Sequence, residues 1–384
     1  MGLIAEMNRE LARVASFPES AAQCLPGYFY TSPDYFDFEV RTILSKEWHY
    51  VGRTDEVARP GDYFTTELLG EPLLVVRGDD DRIRVLSNVC RHRGMPLAEG
   101  SGSTRRFLCS YHAWSYNRDG VLANAPRMRD KGVNSETCRL PEFRSETWQG
   151  FIYVNLDDKA APLSPRLGQL EFLLQNYRPR DMRIVHVEEE DWRTNWKCLV
   201  ENFMEAYHLS VVHPETLHPY TPTGLSRKSM SDDVFTSYCA NYPKDIPSRG
   251  VGARGLTDEE RQRSTLFCLF PTQVASQAAS LLVSLALKPL AVDRIHVRWT
   301  MSTYGDDLTR DEIDQRIALW KEVNREDREK LERMQHALGS RYAPSGPLAP
   351  TDYEGTIWDF YRYLTRMSSS QKDVRQLGTG RQLL

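Results

Sequence analysis

The chain lacks the features that mark most special environments. Its most apolar run, Ala278 to Leu287, is about half of the ~20 residues that a membrane helix needs. The start, MGLIAEMNRELARV, has neither the basic opening nor the apolar core of a secretory leader. Glu6 stands where a myristoylation signal beginning at Gly2 wants Ser or Thr. Positive charge is not in excess: 49 Lys and Arg against 53 Asp and Glu give a net charge of −4, which argues against nucleic acid as a partner. The seven cysteines are odd in number and scattered at 24, 90, 109, 138, 198, 239 and 268. That is no disulfide framework, and it suits a reducing cytoplasm. There is no internal repeat and no glycine-rich nucleotide motif. The charge runs Glu188-Glu189-Glu190 and Arg105-Arg106 are short and read as solvated surface. What remains is a globular composition, 40% hydrophobic and 27% charged, with room in 384 residues for two domains.

Residues 1–47 read as a helical arm (IAEMNRELARV) and a loop, packing on the larger, carboxy-terminal domain. From Trp48 short β-rich runs, DYFTTELLG, PLLVVRG, RIRVLSNVC and WQGFIYVNL, alternate with Gly- and Asp-rich turns, so 48–156 is expected to be a small all-β domain. Residues 157–384 form a longer α+β region after the linker DDKAAPLSPRL. Its stretch NWKCLVENFMEAYHLSVVH has helical spacing of apolar residues. Residues 221–264, rich in Ser, Gly, Pro and charge, suggest a long surface loop or mobile lid. SLLVSLALKPL and RIHVRWTMSTY read as antiparallel strands. A long helix follows from Asp311 to about Gly339, then the short helix TIWDFYRYLTRM and a polar, disordered tail from about residue 368.

Two Cys–His pairs, Cys90/His92 and Cys109/His112, share the loop-rich stretch CRHRGMPLAEGSGSTRRFLCSYHAW. Zinc modules usually pair like with like, as Cys-x-x-Cys and His-x₃₋₅-His. Here each arm gives one Cys and one His, which suits a Rieske [2Fe–2S] cluster with two thiolates on one iron and two imidazoles on the other. Zinc is the competing reading.

A cluster only carries electrons, so the rest of the chain must use or relay them. ENFMEAYHLSVVHPE supplies Glu205, His208 and His213. Glu205 and His208, three apart, share a face of a regular helix. His208 and His213, five apart, can share one metal only if the helix distorts or ends between them, and Pro214 makes an ending plausible. A facial iron(II) site needs a carboxylate as well. In the long helix Trp320, Val323, Leu331, Met334 and Leu338 form an apolar stripe with a gap that Asp327 fills. A buried Asp must be paired or bind metal, so Asp327 is either the third ligand or an ion-pair partner of an arginine, with Glu354 next in line as ligand. Glu322, Glu326, Glu329 and Glu332 lie off the stripe and read as solvated.

Together these features resemble the catalytic α-subunits of the Rieske non-haem iron oxygenases. The resemblance rests on the two Cys/His loops, on NWKCLVENFMEAYH…H and on EDREKLERMQHALGSRY, and covers most of the chain. It departs at Ser110 and Ala113, where that family usually has Pro and Gly, which bears on the shape of the second loop. It implies an α+β fold, a Rieske domain plus a helix-grip domain in which an antiparallel sheet wraps a long helix. It implies His208, His213 and Asp327 as ligands of a mononuclear Fe(II), with Asn202 beside the iron. It implies that Glu205 bridges an iron-ligand histidine to a Rieske histidine of the next subunit in a head-to-tail ring, usually a trimer.

The expected function is then a terminal oxygenase. It would take electrons from a separate NAD(P)H-dependent reductase or ferredoxin and use O₂ to hydroxylate an aromatic compound or dealkylate a quaternary amine. The helix DREKLERMQHALGSRY looks closer to the amine-demethylating branch. Trp192, Trp196, Phe267, Phe270 and Trp299 read as core or as a cage for a methylammonium group. A Rieske electron-transfer protein without oxygenase activity is the rival, and it leaves His208, His213 and Asp327 unexplained.

Overall fold

The computed structural model describes residues 2–128, 131–247, 250–305, 307–343 and 345–369. Two seven-stranded sheets organise it. The first runs in the order His49–Arg53, Phe151–Asn155, Glu142–Trp148, Ile83–Ser87, Glu71–Arg77, Asp62–Leu68, Ser101–Ser103, all antiparallel. Alternation along a strand sends neighbouring side chains to opposite faces. Leu73 and Val75 therefore pack with Val51 and Ile152, while Leu74 and Val76 pack under Cys90 and Cys109. A three-stranded sheet, Phe107–Leu108, Ser115–Tyr116 and Leu122–Asn124, carries the second Cys/His loop.

The second large sheet orders Arg183–Trp192, Arg294–Thr303, Leu282–Ala291, Gln273–Gln277, Arg263–Leu269, Phe235–Asn241 and Ser226–Lys228. Both faces are covered. Val283, Leu285 and Leu287 face a core shared with the helices. Leu282 and Ala286 face a core shared with Trp48 and with Tyr50, Phe151 and Tyr153 of the first sheet. The amino-terminal helix Leu3–Ala15 buries Met7, Leu11 and Val14, at helical spacing, in the core that also holds Phe360 and Leu364 of the last helix, Thr351–Ser369.

The long helix spans Arg310–Leu338. A capping box of Thr309 and Glu312 opens it and Gly339 follows its end. Trp320, Val323, Asp327 and Leu331 are buried as the stripe requires, but Met334 is exposed and Gln335 takes its place inside. Gln335 is needed there because its amide bonds Asn195 N–H and the Tyr30 carbonyl.

Three expectations are corrected. The helix beginning with Trp196 ends at Phe203. The last helix takes the groups that would continue it: Thr356 Oγ1 donates to the Met204 carbonyl, and Ala206 N–H bonds the Tyr353 carbonyl at 3.1 Å. Glu205 and His208 thus share no helical face. Residues 221–264 are not one loop, since they include the strands Ser226–Lys228 and Phe235–Asn241 and the helical turn Asp258–Arg261. Between them, Asp307 accepts the N–H groups of Val251 and Gly252. Of the polar tail expected from 368, Ser368 and Ser369 finish the last helix and 370–384 lie outside the described residues. No helix among the described residues is long and apolar enough to cross a membrane.

Candidate active site

The two Cys/His loops close in the same way. Cys90 N–H bonds the Met95 carbonyl and Gly94 N–H returns to the Cys90 carbonyl; Cys109 N–H bonds the Trp114 carbonyl and Ala113 N–H returns to Cys109. In each loop the fifth residue is left-handed, Gly94 at φ 77° and Ala113 at φ 57°. Alanine here keeps the loop's shape at a cost of about 1–2 kcal/mol, because its Cβ crowds the following carbonyl.

This closure turns all four candidate ligands inward. The His92 and His112 rings lie 4.5 Å apart, and Trp114 stacks on His92 at 4.9 Å. The Cys90 and Cys109 thiols are buried, free of disulfides and near enough to interact. Burial pushes the Cys90 thiol up, which disfavours a thiolate unless a cation shares the site. Burial, with His92 and Arg93 nearby, holds His112 below its ordinary value, in the neutral form that a ligand needs. His92 Nδ1 is buried with no hydrogen-bond partner among the described residues. A polar atom so placed fits a metal, and the whole set fits a [2Fe–2S] cluster.

Tyr116, buried beneath the loops, was not singled out by sequence. Its hydroxyl accepts Arg91 N–H at 3.0 Å and lies 3.4 Å from Cys90 Sγ, placed to donate to that sulfur. Its only sequence signal is position, two residues after Trp114 in the buried strand Ser115–Tyr116.

The second constellation also comes together. His208 N-caps the short helix Leu209–Val212 and His213 ends it. His208 Nε2 lies 3.6 Å and His213 Nε2 3.0 Å from Asp327 Oδ1. One donor atom from each of the three lies within 4.8 Å of the others. Each Nδ1 is tied to a carboxylate: His208 to Glu205, and His213 to Glu326 at 2.7 Å. The carboxylates accept, so Nδ1 carries the proton and both Nε2 lone pairs face one centre. Burial alone would lower the His208 pKa, but Glu205 and Asp327 raise it on balance, a sign that the site favours positive charge. Asn202 Nδ2 donates to Asp327 at 3.1 Å, while its Oδ1 is buried with no partner among the described residues. Two imidazoles, a carboxylate and anionic neighbours fit a divalent iron.

Glu205 holds this geometry from below, its other oxygen accepting the N–H groups of Tyr207 and His208. Glu326, expected to be solvated, instead bonds His213 and Thr216. It adjoins Asp327 and rotates about 100° away from it on the helix, which periodicity reads as outward. The short helix packed beside it makes that direction inward. Glu354 is not part of the triad; its carboxylate accepts Ala349 N–H.

Over the triad lies a cavity of about 40 Å³ walled by Trp192, Phe203, Tyr238, Leu285 and Trp320. Of the five aromatics considered as a cage only Trp192 lines it. Trp196, Phe270 and Trp299 sit in the helix-side core, and Phe267 in the core between the sheets. Trp192 Nε1 and Asn324 Nδ2 are buried in the cavity wall without hydrogen-bond partners among the described residues.

A β-domain with paired Cys/His loops, joined to a sheet-and-helix domain that gathers two histidines and an aspartate, defines a two-domain Rieske oxygenase architecture. Family profiles agree with it. Residues 47–144 match the Rieske [2Fe-2S] domain and residues 179–370 the ring hydroxylating alpha subunit (catalytic domain). The chain belongs to the ring hydroxylating alpha subunit family.

It is 34% identical over 197 residues to a carnitine monooxygenase oxygenase subunit of Acinetobacter baumannii, covering 50% of this chain and 53% of that one. It is 33% identical over 202 residues to benzene 1,2-dioxygenase subunit alpha of Pseudomonas putida, covering 50% and 45%. The chain thus spans about half the length of the curated relatives it matches. In fold it is similar to the quaternary ammonium Rieske monooxygenase CntA (TM-score 0.82, 24% identity, 94% of this chain and 98% of that one). It is equally similar to naphthalene 1,2-dioxygenase from Rhodococcus sp. (TM-score 0.82, 19% identity, 96% and 99%).

Proposed function

We propose that this chain is the terminal oxygenase of a Rieske-type system that oxidises a small organic substrate, an aromatic compound or a quaternary amine, with O₂. One observation carries the reading: both Nε2 atoms and Asp327 converge under a mainly apolar cavity while each Nδ1 is held by a carboxylate. In this reading Cys90, His92, Cys109 and His112 hold the cluster, and His208, His213 and Asp327 hold the iron. The cofactors supply single-electron transfer and O₂ activation, which no side chain provides. The chain's residues do the rest. Asn202 orients Asp327, Glu205 and Glu326 fix the histidine tautomers, and Trp192, Phe203 and Trp320 keep water from the reacting carbon. Electrons come from a separate NAD(P)H-dependent reductase or ferredoxin. Glu205 links the two centres across subunits of a head-to-tail homotrimer. The unpaired cysteines suit the cytoplasm.

The test is a screen of aromatic acids, arenes and quaternary amines with a surrogate reductase, reading product and O₂ uptake. Wild type should turn over at least one class. His208→Ala or Asp327→Ala should lose the mononuclear iron and all turnover but keep the cluster colour. Glu205→Gln should keep both metals yet leave the reduced cluster unoxidised in the presence of substrate and O₂. A protein that passes electrons but consumes no O₂ with any class is the electron-transfer rival.

A further inference from the structure

Beside the cavity over the triad lies an outer one of about 130 Å³, and the two share Leu217 and Trp320 as lining residues. Two chain segments cross from one cavity to the other at these residues. In the long helix Leu319 lines only the outer cavity, Trp320 lines both, and Val323, Asn324 and Asp327 line only the inner one. In the segment after the short helix Thr221 lines the outer cavity, Leu217 both, and His213 the inner one. Trp320 and Leu217 therefore form the partition. Trp320 is 8% exposed, and Phe203, which lines only the inner cavity, stacks on its ring at 6.5 Å. Close packing of this kind holds a large side chain in one rotamer.

The two sides admit different groups. An apolar cavity of roughly 150 Å³ holds a benzene ring, and about 10–15 Å³ suffices for one water-sized group. The inner cavity, about 40 Å³, thus takes a methyl or methylene group but no ring, and a metal on the triad would only reduce it. The outer cavity is close to ring size. Its walls include Ile246, Pro247, Leu281 and Leu319, with Ser264 and Ser276 as polar members. Such a lining suits an arene, which gains by leaving water.

We propose that Trp320 sets the specificity of the site: the ring of a substrate rests in the outer cavity, and only a methyl-sized substituent passes the indole to reach His208, His213 and Asp327. The substrate class is then an arene bearing a small alkyl group, oxidised on that group and not on its ring. The reaction rests on the oxygenase reading; the partition does not. In balance, one C–H bond of the substituent breaks and a C–OH bond forms with one atom of O₂. The other oxygen atom leaves as water, with two electrons from the reductase or ferredoxin and two protons from solvent.

The test pairs structure with product. Crystals of the intact, metal-loaded chain are soaked under nitrogen with 4-bromotoluene, and its bromine is located by anomalous scattering. Wild type should hold the ring in the outer cavity with one substituent past Trp320. With toluene, O₂ and a surrogate reductase, its product should be benzyl alcohol. Trp320→Ala should admit the ring to the triad in the crystal. It should also raise the ratio of ring diol to alcohol by about ten-fold or more, the discrimination that a methylene-sized change in a pocket gives. Leu217→Ala thins the same partition with a smaller loss of packing, and should shift the ratio the same way if Trp320→Ala fails to fold. A ring over the triad in wild type, ring diol as its main product, no ring in either cavity, or one ring position shared by wild type and the folded variants would overturn the partition. A ring in the outer cavity of a wild type that oxidises no probe would instead sink the oxygenase reading and leave the partition standing.

Discussion

Glu326 shows how much one residue's meaning depends on its neighbours. Its carboxylate accepts from His213 Nδ1 and Thr216 Oγ1, both at 2.7 Å, and so presents the His213 Nε2 lone pair to Asp327. Outer partners of this kind are typically worth 10–100-fold in metal affinity. Glu326→Ala should therefore weaken Fe(II) binding by about that factor in a chelator titration, with the cluster absorbance unchanged. Ala113 is the second informative residue. A left-handed alanine costs about 1–2 kcal/mol in the native state, and glycine gives back part of that through a freer unfolded chain. Ala113→Gly should raise the unfolding free energy of the β-domain by roughly 0.5–1 kcal/mol, read from loss of cluster colour in denaturant.

At the scale of elements, the helix Trp196–Phe203 is held at its start and cut at its end. Asn195 caps it by accepting Lys197 N–H. Lys197 Nζ, fully buried, reaches Glu39 of the helix Pro33–Thr42 at 2.7 Å, and Trp196 Nε1 bonds the same carboxylate. Burial raises the Glu39 pKa while Lys197 opposes it. The pair fixes the helix that carries Asn202. Lys197→Met leaves a buried carboxylate without its partner and should cost about 3–5 kcal/mol in a denaturant melt. Adding Glu39→Leu should recover much of that loss, because removing both charges removes the desolvation penalty.

Across the whole molecule the two sheets meet over a buried contact that senses acid. His49, in the edge strand of the first sheet, pairs Nε2 with the Leu44 carbonyl at 2.6 Å and Nδ1 at 2.8 Å with Oγ1 of Thr272, in the turn that leads into the strand Gln273–Gln277 of the second. Burial pulls its pKa from 6.5 to about 4, against the Leu44 carbonyl, which acts the other way. The unfolded chain takes up the proton first as pH falls. The contact's stability is therefore complete above about pH 6.5 and is lost progressively down to about pH 4, on the order of 3 kcal/mol in all. His49→Gln, neutral at every pH, should flatten that part of the pH profile of unfolding relative to wild type.

Local pattern alone determined much of this protein. The period-two runs marked the strands, the 3.6-residue stripe of the long helix singled out Asp327, and the alternation of Cys with His in each arm distinguished a two-iron site from zinc. These signals are legible because backbone geometry and ligand chemistry act over a few residues. Tertiary structure decided the rest, because packing between distant segments overrides local preference. Thr356 and Tyr353 stop a helix that its own sequence would continue, and so bring His208 and His213 onto one centre. The short helix after them turns Glu326 from solvent to histidine, and the inner faces of two sheets make Trp299 and Phe267 core rather than cage.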